Sequence, residues 1–287
     1  MIVYYSSWGV GNELFQYAYL RSLAKNNENI FCLGGMEELA DGFDLKDLNF
    51  HIYIPSRAIN SIMRILIFPA LYWLAKKRIF NYFEHLRDEK GVYDKKVSKK
   101  TGLIPVSIVK QGFFQSEMLF NIDNIKVKTK DHYFQSALKI FNSFPNDRTK
   151  VFVHVRRGDY LREFYNNKRG VNLPFSYYSN AISLIENEVN FPYYIFLSDD
   201  PEYVEQAFRH ISDSDKYISS NHPIVDFSLM TLCKYGIGSN STFAWWGSYL
   251  MKYRKKVFFP KYWHGWREKV ESHPGIQPSW SEIIDID

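Results

Sequence analysis

Apolar and polar residues alternate in blocks along the C-terminal half of the chain, and these blocks predict strands and helices in turn. Short runs rich in valine, isoleucine and aromatic residues predict strands, whereas longer amphipathic runs predict helices. The predicted strands span 151–155, 193–197, a short stretch near 217, 235–238 and 257–259, and the predicted helices span 174–189, 200–208, 226–234 and 242–253. Because strands that alternate with helices are typical of parallel βαβ units, we predict a Rossmann-like C-terminal domain.

The N-terminal half is less regular and predicts a looser α/β domain. Its predicted elements are strands at 2–5 and 106–115 and helices at 13–25 and 131–144. Asn12, at the end of the glycine turn 8–12, is the predicted N-cap of the first helix. Residues 145–147, Pro-Asn-Asp, break the last helix, so the chain is predicted to divide into domains 1–148 and 149–287.

Composition excludes a disordered chain, since 46% of the 287 residues are hydrophobic and 18% are aromatic. The net charge of +5, from 36 basic and 31 acidic residues, favours an anionic partner such as a nucleotide or an anionic membrane. This charge is below the density typical of dedicated nucleic-acid-binding proteins. We therefore predict no nucleic-acid partner.

The cysteine content and the N-terminus both favour a cytoplasmic protein. Cys32 and Cys233 lie far apart without metal-ligating neighbours, which predicts neither a disulfide framework nor a zinc site. Residues 1–5 enter a strand without the basic and apolar regions of a secretory signal. We expect a reducing, cytoplasmic environment.

One segment, Ile62–Arg78, raises the question of membrane contact. Its apolar run 62–75 is interpreted as too short to span a bilayer, and it carries Arg64 and Pro69. Two interpretations stay open. The run, which ends in three cations, lies in the interface at the inner face of the membrane, or it forms a buried helix pair broken at Pro69.

Polar residues collect where the predicted C-terminal strands end, which is where open α/β sheets bind ligands. Arg156 and Arg157 follow the first strand, and Gly158 beside them allows close backbone approach to a diphosphate. Asp199 and Asp200 follow the next strand. The arginines could equally be a surface pair, and the aspartates could hold a metal, act as acid or base, accept hydrogen bonds from guanine, or cap a helix.

Two further segments present hydrogen-bond donors to an anion. The Ser-Asn-Ser-Thr run 239–242 leads into a predicted helix, where hydroxyl and amide groups can bind phosphate or can cap the helix. Gly9 and Gly11 open the first helix in the same way, although a purely structural turn also needs glycine. No Asp-x-Asp pair flanked by apolar strands predicts a magnesium–diphosphate clamp, so the arginines are expected to neutralise the diphosphate.

Taken together, these motifs resemble those of the bacterial alpha-1,2-fucosyltransferases, which belong to the GDP-fucose-dependent fucosyltransferases of GT-B fold. The blocks that carry the resemblance, in matching order and spacing, are Gly9–Ala18, Gln111–Gln115, His154–Asp159, Phe196–Pro201 and Asp226–Leu250. The resemblance implies two facing α/β domains, the N-terminal one on the acceptor side and the C-terminal one holding the donor.

The resemblance also implies a reaction. L-fucose would pass from GDP-fucose to a glycan hydroxyl with inversion, by family default O2 of a galactose, with no metal or other cofactor. The acceptor would be an oligosaccharide or lipid-linked glycan in the synthesis of bacterial O-antigen or capsule.

Site residues follow from the same resemblance. The residues implied to act in catalysis are Arg156, Arg157, Asp159 and Asn12. Those implied to bind the donor are Gly9, Gly11, Asn12, His154, Arg156, Arg157, Asp199, Asp200, Asn240, Ser241, Thr242 and Phe243. Within this set the arginines would hold the diphosphate, His154 and Asp200 the guanine side, and Ser241 and Thr242 further phosphate oxygens.

Two carboxylates need separate treatment. Asp159 is the nearest candidate base in sequence, but beside two arginines it is expected to keep its charge and to orient them instead. Glu13 replaces the family's usual glutamine, and a position at the rim or a capping role is expected because a catalytic carboxylate there would face an anionic diphosphate.

Two other functions compete with glycosyl transfer. A Rossmann oxidoreductase requires G-x-G-x-x-G after the first strand, and here Leu14 stands at the position of the third glycine. A non-catalytic basic protein that adheres to RNA or membranes would bind polyanions in a salt-sensitive way without competition from GDP.

Overall fold

The computed structural model describes residues 1–6, 8–25, 27–121 and 125–286. It divides into two compact units. The N-terminal unit comprises Met1–Lys128 with Pro274–Ile276, and the C-terminal unit comprises Thr129–His273 with Gln277–Asp287. This boundary precedes the predicted one at residue 148, because the helix that begins at Asp131 packs against a helix of the C-terminal unit.

The N-terminal unit is built around a six-stranded sheet. Its strands are β1 Ile2–Tyr4, β2 Ile30–Leu33, β3 Phe43–Leu45, β4 Phe50–Tyr53, β5 Phe80–Arg87, β6 Tyr93–Lys100, β7 Ile104–Val109 and β8 Val127–Thr129, and its helices are α1 Val10–Leu23, α2 Glu37–Gly42, α3 Arg57–Ile62 and α4 Phe68–Lys76. The sheet order is β4-β2-β1-β7-β5-β6, with β3 and β8 forming a separate pair. Only the pairing of β5 with β6 is antiparallel within the described part of this sheet.

The C-terminal unit holds a second six-stranded sheet, in which every pairing within the described residues is parallel. Its strands are β9 Thr149–Val155, β10 Phe164–Tyr165, β11 Lys168–Arg169, β12 Pro192–Ser198, β13 Lys216–Ile218, β14 Tyr235–Ile237, β15 Lys256–Pro260 and β16 Glu282–Ile284, and its helices are α5 Asp131–Ser143, α6 Phe175–Glu186, α7 Pro201–Ala207, α8 Pro223–Leu232 and α9 Thr242–Tyr249. The sheet order is β13-β12-β9-β14-β15-β16, with β10 and β11 forming a hairpin. The predicted α/β class and the Rossmann-like C-terminal sheet are confirmed.

The segment 57–76 differs most from its prediction. Helix α3, a π-helical turn Met63–Ile67 and α4 form one helix of 20 residues, which by length and composition alone could cross a membrane. The helix continues past Pro69 because the proline falls in the first turn of α4, directly after the wider π turn, where the missing N–H is least costly. The expectations of a segment too short to span and of a break at Pro69 were therefore wrong.

One face of this helix packs on the sheet. Met63, Phe68 and Ala75 form a buried cluster with Tyr5 and Tyr82 of the sheet side. Most of the remaining surface is exposed, since only 17% of the apolar window lies inside the structure. The segment is thus a crossover helix with one buried face, and the interpretation as a fully buried helix pair is also wrong.

Helices α1 and α2 cap each other through two carboxylates. The Val10 amide at the start of α1 donates to Glu38 Oε2 at 2.9 Å, and the Leu39 amide in α2 donates to Glu13 Oε2 at 2.7 Å. Glu13 therefore has the expected capping role, but it is 2% exposed and does not lie at a rim. Its burial, with Glu38 and Glu37 nearby, raises its pKa to about 8.

We predict that this carboxyl makes stability fall as pH rises. Between its ordinary pKa of 4.5 and the folded value of about 8, the folded chain holds a proton that the unfolded chain has lost. Stability should then decrease by up to about 1.4 kcal/mol per pH unit in this window. Glu13→Gln keeps an acceptor for the Leu39 amide without ionising, so urea unfolding at pH 5 and pH 8 should show a flatter dependence and higher stability at pH 8.

The exposed Glu202, changed to Gln, provides the control and should keep the wild-type pH dependence. Equal pH slopes in the wild type and Glu13→Gln would contradict the assignment.

Candidate active site

The carboxyl ends of β9, β12 and β14 meet at one edge of the C-terminal sheet. Val155 pairs with Ser198, so the residues after β9 and β12 leave the sheet side by side. The chain places β12 and β13 on one side of β9 and then returns to place β14 on the other side. The crevice between β9 and β14 is therefore the topological switch point, where open α/β sheets bind their ligands.

Arg157 is held firmly with part of its guanidinium unpaired. Its Nε donates to Asp200 Oδ2 at 2.9 Å, and its guanidinium carbon lies 3.5 Å from the centre of the Tyr203 ring. Its two terminal Nη groups make no hydrogen bond to the described residues. Two parallel N–H groups on a fixed plane match the oxygens of a phosphate group.

Arg156 is paired twice. Its Nη2 contacts Asp159 Oδ1 at 2.7 Å, and its Nη1 contacts Asp199 Oδ2 at 3.0 Å. The Asp159 contact is what the expected orienting role requires. The Arg156 side chain is 35% exposed, so it remains accessible to an anion despite both ion pairs.

Asp199 and Asp200 each form an ion pair with one of the two arginines. Asp199 Oδ1 also accepts the Arg157 amide at 2.8 Å, and Asp200 Oδ1 accepts the Tyr203 amide at 3.1 Å as N-cap of α7. Capping, one of the open alternatives for Asp200, is thus observed together with the ion pair. A Cβ on Gly158 would lie 2.5 Å from Asp199 Oδ2, so a larger residue here would displace the Asp199 carboxylate.

His154 lies in the switch-point crevice as a neutral group. Its Nδ1 is 2.8 Å from Ser239 Oγ across the β9–β14 pair, and the ring is 6% exposed. Burial, reinforced by the Arg156 charge, lowers its pKa to about 3. His154 is therefore uncharged at neutral pH.

The loop that leads into α9 contains some residues that hold the local structure and others that are accessible to solvent. Ser241 caps the helix, because its hydroxyl accepts the Phe243 amide at 3.3 Å. Thr242 and Phe243 are partly exposed at the helix N-terminus. Asn240 is fully buried, and its amide donates to the Val171 carbonyl at 2.8 Å, so its side chain holds the loop in place.

Sequence reasoning missed three aromatic residues that support the site. The Tyr203 ring lies against the guanidinium of Arg157, and the Tyr160 ring lies against that of Arg156. The Tyr160 hydroxyl also donates a hydrogen bond to the Asn240 carbonyl at 3.1 Å. His264 approaches the same carbonyl at 3.3 Å, and burial lowers its pKa to about 4. Their only signal in the sequence is their proximity to the motifs, because aromatic residues occur throughout the chain.

The remaining predicted residues lie in the N-terminal unit. Helix α1 begins at Val10 with Gly9 as N-cap, so the predicted N-cap Asn12 is wrong and Asn12 lies inside the first turn with Gly11. Asn12 Oδ1 accepts the Gln115 amide at 2.7 Å, which leaves its own NH₂ group as the donor. The Val10 amide already donates its hydrogen bond to the Glu38 carboxylate, so the start of this helix is less available to an anion than expected.

Metal-ligating side chains do not gather at this site. Within the part of the chain that the structure describes, no group of three or more His, Cys, Asp or Glu side chains is placed to hold an ion. The carboxylates of Asp159, Asp199 and Asp200 are directed at arginines.

The fold is shared with glycosyltransferases of known structure. The structure resembles the fucosyltransferase NodZ from Bradyrhizobium with a TM-score of 0.53 at 12% identity, over 89% of this chain and 94% of that one. The fold is therefore that of the GT-B glycosyltransferases.

The family follows from the sequence comparison. Residues 10–273 match the model of glycosyl transferase family 11, and the chain belongs to that family. It is 30% identical to the alpha-1,2-colitosyltransferase of Escherichia coli over 96% of both chains. It is also 33% identical to the O-antigen biosynthesis glycosyltransferase WbnK of Escherichia coli, over 41% of this chain and 40% of that one. The predicted family is confirmed: this is a glycosyltransferase of the GDP-fucose-dependent alpha-1,2-fucosyltransferase family.

We predict that the charge of Asp200 positions Arg157. Asp200→Asn keeps a good N-cap for α7 but loses the ion pair, so Arg157 should become mobile while the fold persists. GDP affinity, measured by calorimetry, should fall about tenfold. Asp213→Asn removes a carboxylate that is 90% exposed and should leave GDP binding unchanged. Unaltered GDP affinity in Asp200→Asn would contradict the positioning role.

Proposed function

We propose that this protein transfers L-fucose from GDP-fucose to O2 of a galactose in a glycan acceptor, with inversion, during synthesis of a bacterial surface polysaccharide such as O-antigen or capsule. The observation that carries the proposal is Arg157, whose guanidinium is fixed by Asp200 and Tyr203 while both of its terminal NH₂ groups make no hydrogen bond to the described residues. NodZ, a fold relative, has been crystallised with GDP, which is the leaving group of this reaction.

The main requirement of this reaction is that the enzyme stabilises the negative charge that develops on the GDP leaving group. The acceptor oxygen forms a bond to C1 of fucose while the bond from C1 to the phosphate oxygen breaks, and GDP leaves with the electron pair. The acceptor hydroxyl loses its proton to a base. Cations held in place before the reaction stabilise the growing charge at no cost in reorganisation, which is the role we assign to Arg156 and Arg157.

We further propose that the reaction requires no metal ion or other cofactor. In metal-dependent transfer a cation neutralises the diphosphate, and carboxylates hold that cation. In this site the nearest carboxylates are committed to the arginines instead, and the two guanidiniums supply the positive charge.

A second donor is favoured by one specific relative. The relative with 30% identity over the full length is a colitosyltransferase, and colitose is fucose without its 3-hydroxyl group. The same diphosphate site would serve GDP-colitose equally well. The two donors differ only at the sugar.

The test is a donor panel of GDP-fucose, GDP-colitose, GDP-mannose and UDP-galactose with lactose as acceptor, run with and without EDTA. We expect GDP-fucose to be turned over at least tenfold faster than the others, an α-1,2 linkage by NMR, and most activity retained in EDTA. Faster turnover of GDP-colitose would select the second donor. Use of UDP-galactose alone, or complete loss in EDTA restored by manganese, would contradict the proposal.

We also propose that the enzyme is cytoplasmic and binds the inner face of the membrane through the segment 57–78, where a lipid-linked acceptor would be presented. The outward face of the helix carries exposed apolar side chains. They include Ile62, Ile65, Leu66 and Trp73, which are between 50% and 64% exposed. Because the opposite face is packed on the sheet, the helix fits the plane of the interface better than a spanning position.

The positive charge beside the apolar face favours a bilayer that contains anionic lipids. Lys76, Lys77 and Arg78 follow the apolar face and are all exposed. Leu103, 89% exposed, adjoins them because its amide donates to the Arg78 carbonyl at 2.9 Å. Each cation near an anionic surface contributes about 1 kcal/mol, so the cluster adds to the gain from burying the apolar groups.

Co-sedimentation with vesicles of phosphatidylcholine and phosphatidylglycerol at low salt tests this contact. The wild type should bind, and Lys76, Lys77 and Arg78 changed together to Glu should lower the bound fraction several-fold without affecting transfer to lactose. The same charge change at the exposed Lys234, Lys252 and Lys255 of the other unit is the matched control and should have a much smaller effect. A wild-type protein that never co-sediments would contradict the proposal.

A further inference from the structure

The N-terminal sheet has its own topological switch point. From β1 the chain adds β2 and then β4 on one side, and it later places β7 and β5 on the other side. The crevice between β1 and β7 therefore lies where a ligand is expected. The pairings β1–β7 and β7–β5 are parallel, so their carboxyl ends share one edge of the sheet.

The rings of two aromatic residues contact each other at a tilt of 37° in the loops that follow β1 and β7. Trp8 follows β1, Phe113 follows β7, and their ring centres are 4.1 Å apart. Trp8 is 49% exposed and has φ 80°, a backbone conformation that a bulky side chain rarely adopts. Such strain costs on the order of 1–3 kcal/mol and tends to occur at functional sites.

The loop that carries Phe113 is held rigidly. The Gly112 carbonyl accepts both the Tyr4 hydroxyl at 3.1 Å and the Gln16 amide at 3.0 Å. The Phe114 amide donates to the Tyr93 hydroxyl at 2.9 Å. A fixed aromatic surface loses little entropy when a ligand stacks on it.

Charged groups line the open pocket that adjoins the rings, at the ends of β5 and β7. Glu84 pairs with Lys110, which is 51% exposed, and Arg87 stacks on Tyr93 with its guanidinium carbon 4.3 Å from the ring centre. Phe113 forms part of the same pocket wall. The pocket thus combines an aromatic surface with donors from Lys110 and Arg87 and an acceptor from Glu84.

We propose that Trp8, Phe113, Glu84, Arg87 and Lys110 form the binding subsite for the acceptor sugar. A neutral pyranose has an apolar C–H face, which stacks on an aromatic ring, and hydroxyl groups at its edge, which exchange hydrogen bonds with mixed charges. The near balance of the charges selects a neutral glycan rather than a phosphate. This assignment rests on the proposed function, but it concerns the acceptor and not the donor.

The first test separates binding from turnover. Saturation-transfer NMR with lactose and no donor should show contact in the wild type and loss of signal in Trp8→Ala, with partial recovery in Trp8→Phe. The Michaelis constant for lactose should rise about tenfold in Trp8→Ala and Arg87→Ala, equivalent to about 1.4 kcal/mol, while GDP affinity changes less than twofold.

Phe191→Ala is the matched control, because Phe191 is an aromatic residue with φ 53° that is 74% exposed in the other unit. It should leave both constants unchanged. If lactose binds Trp8→Ala as well as the wild type, the subsite is wrong even when fucosyl transfer is confirmed. Lactose binding that depends on Trp8 in a protein without fucosyltransferase activity would instead keep the sugar site and refute the proposed reaction.

Discussion

Two guanidinium groups can stand side by side at the end of a buried strand only if carboxylates offset their mutual repulsion. In this protein two of the carboxylates follow the neighbouring strand, and a third, Asp159, follows the same strand as the arginines. The pairing of Val155 with Ser198 places Asp199 and Asp200 directly beside Arg156 and Arg157. The remaining features of the site depend on this arrangement: the glycine at position 158, the stacking of Tyr203 and the start of α7 all follow from bringing the two strand ends together.

The same topological rule operates in both units, with different chemistry. At the C-terminal switch point the side chains are cationic and paired, which suits a diphosphate. At the N-terminal switch point they are aromatic with mixed charges, which suits a neutral sugar. Two binding requirements of a glycosyl transfer, one for an anionic leaving group and one for an uncharged nucleophile, thus correspond to two sheets with distinct strand ends.

The C-terminal half could be predicted well because its central strands are buried on both faces and appear as apolar runs, such as 193–197. The N-terminal half could not. Its edge strand β6 carries so many lysines that its sequence lacks the apolar pattern of a strand, although lysine is a common way to protect an edge. The helix through Pro69 depends on a π turn that leaves no pattern in the sequence. The short β16 was not predicted, because it has only three residues and two of them are exposed.

In the candidate site, too, some features could be predicted from the sequence and others could not. The sequence indicated the arginines and aspartates, but not which oxygen contacts which nitrogen, because that depends on strand register. The capping of α1 by Glu38 joins residues 28 positions apart and displaced the predicted N-cap at Asn12. The contact between the Trp8 and Phe113 rings joins two loops that only the fold brings together. The assignments of Asn12, Arg156, Arg157 and Asp159 to catalysis remain predictions.

The central claim is that a pre-positioned Arg157 recognises the diphosphate. Calorimetric titration of the wild type and Arg157→Lys with GDP and with guanosine tests it most directly, because a lysine keeps the charge but cannot offer two parallel N–H groups. We expect the preference for GDP over guanosine to fall at least tenfold in Arg157→Lys, whereas guanosine should bind equally to both proteins. An unchanged preference for GDP would contradict it.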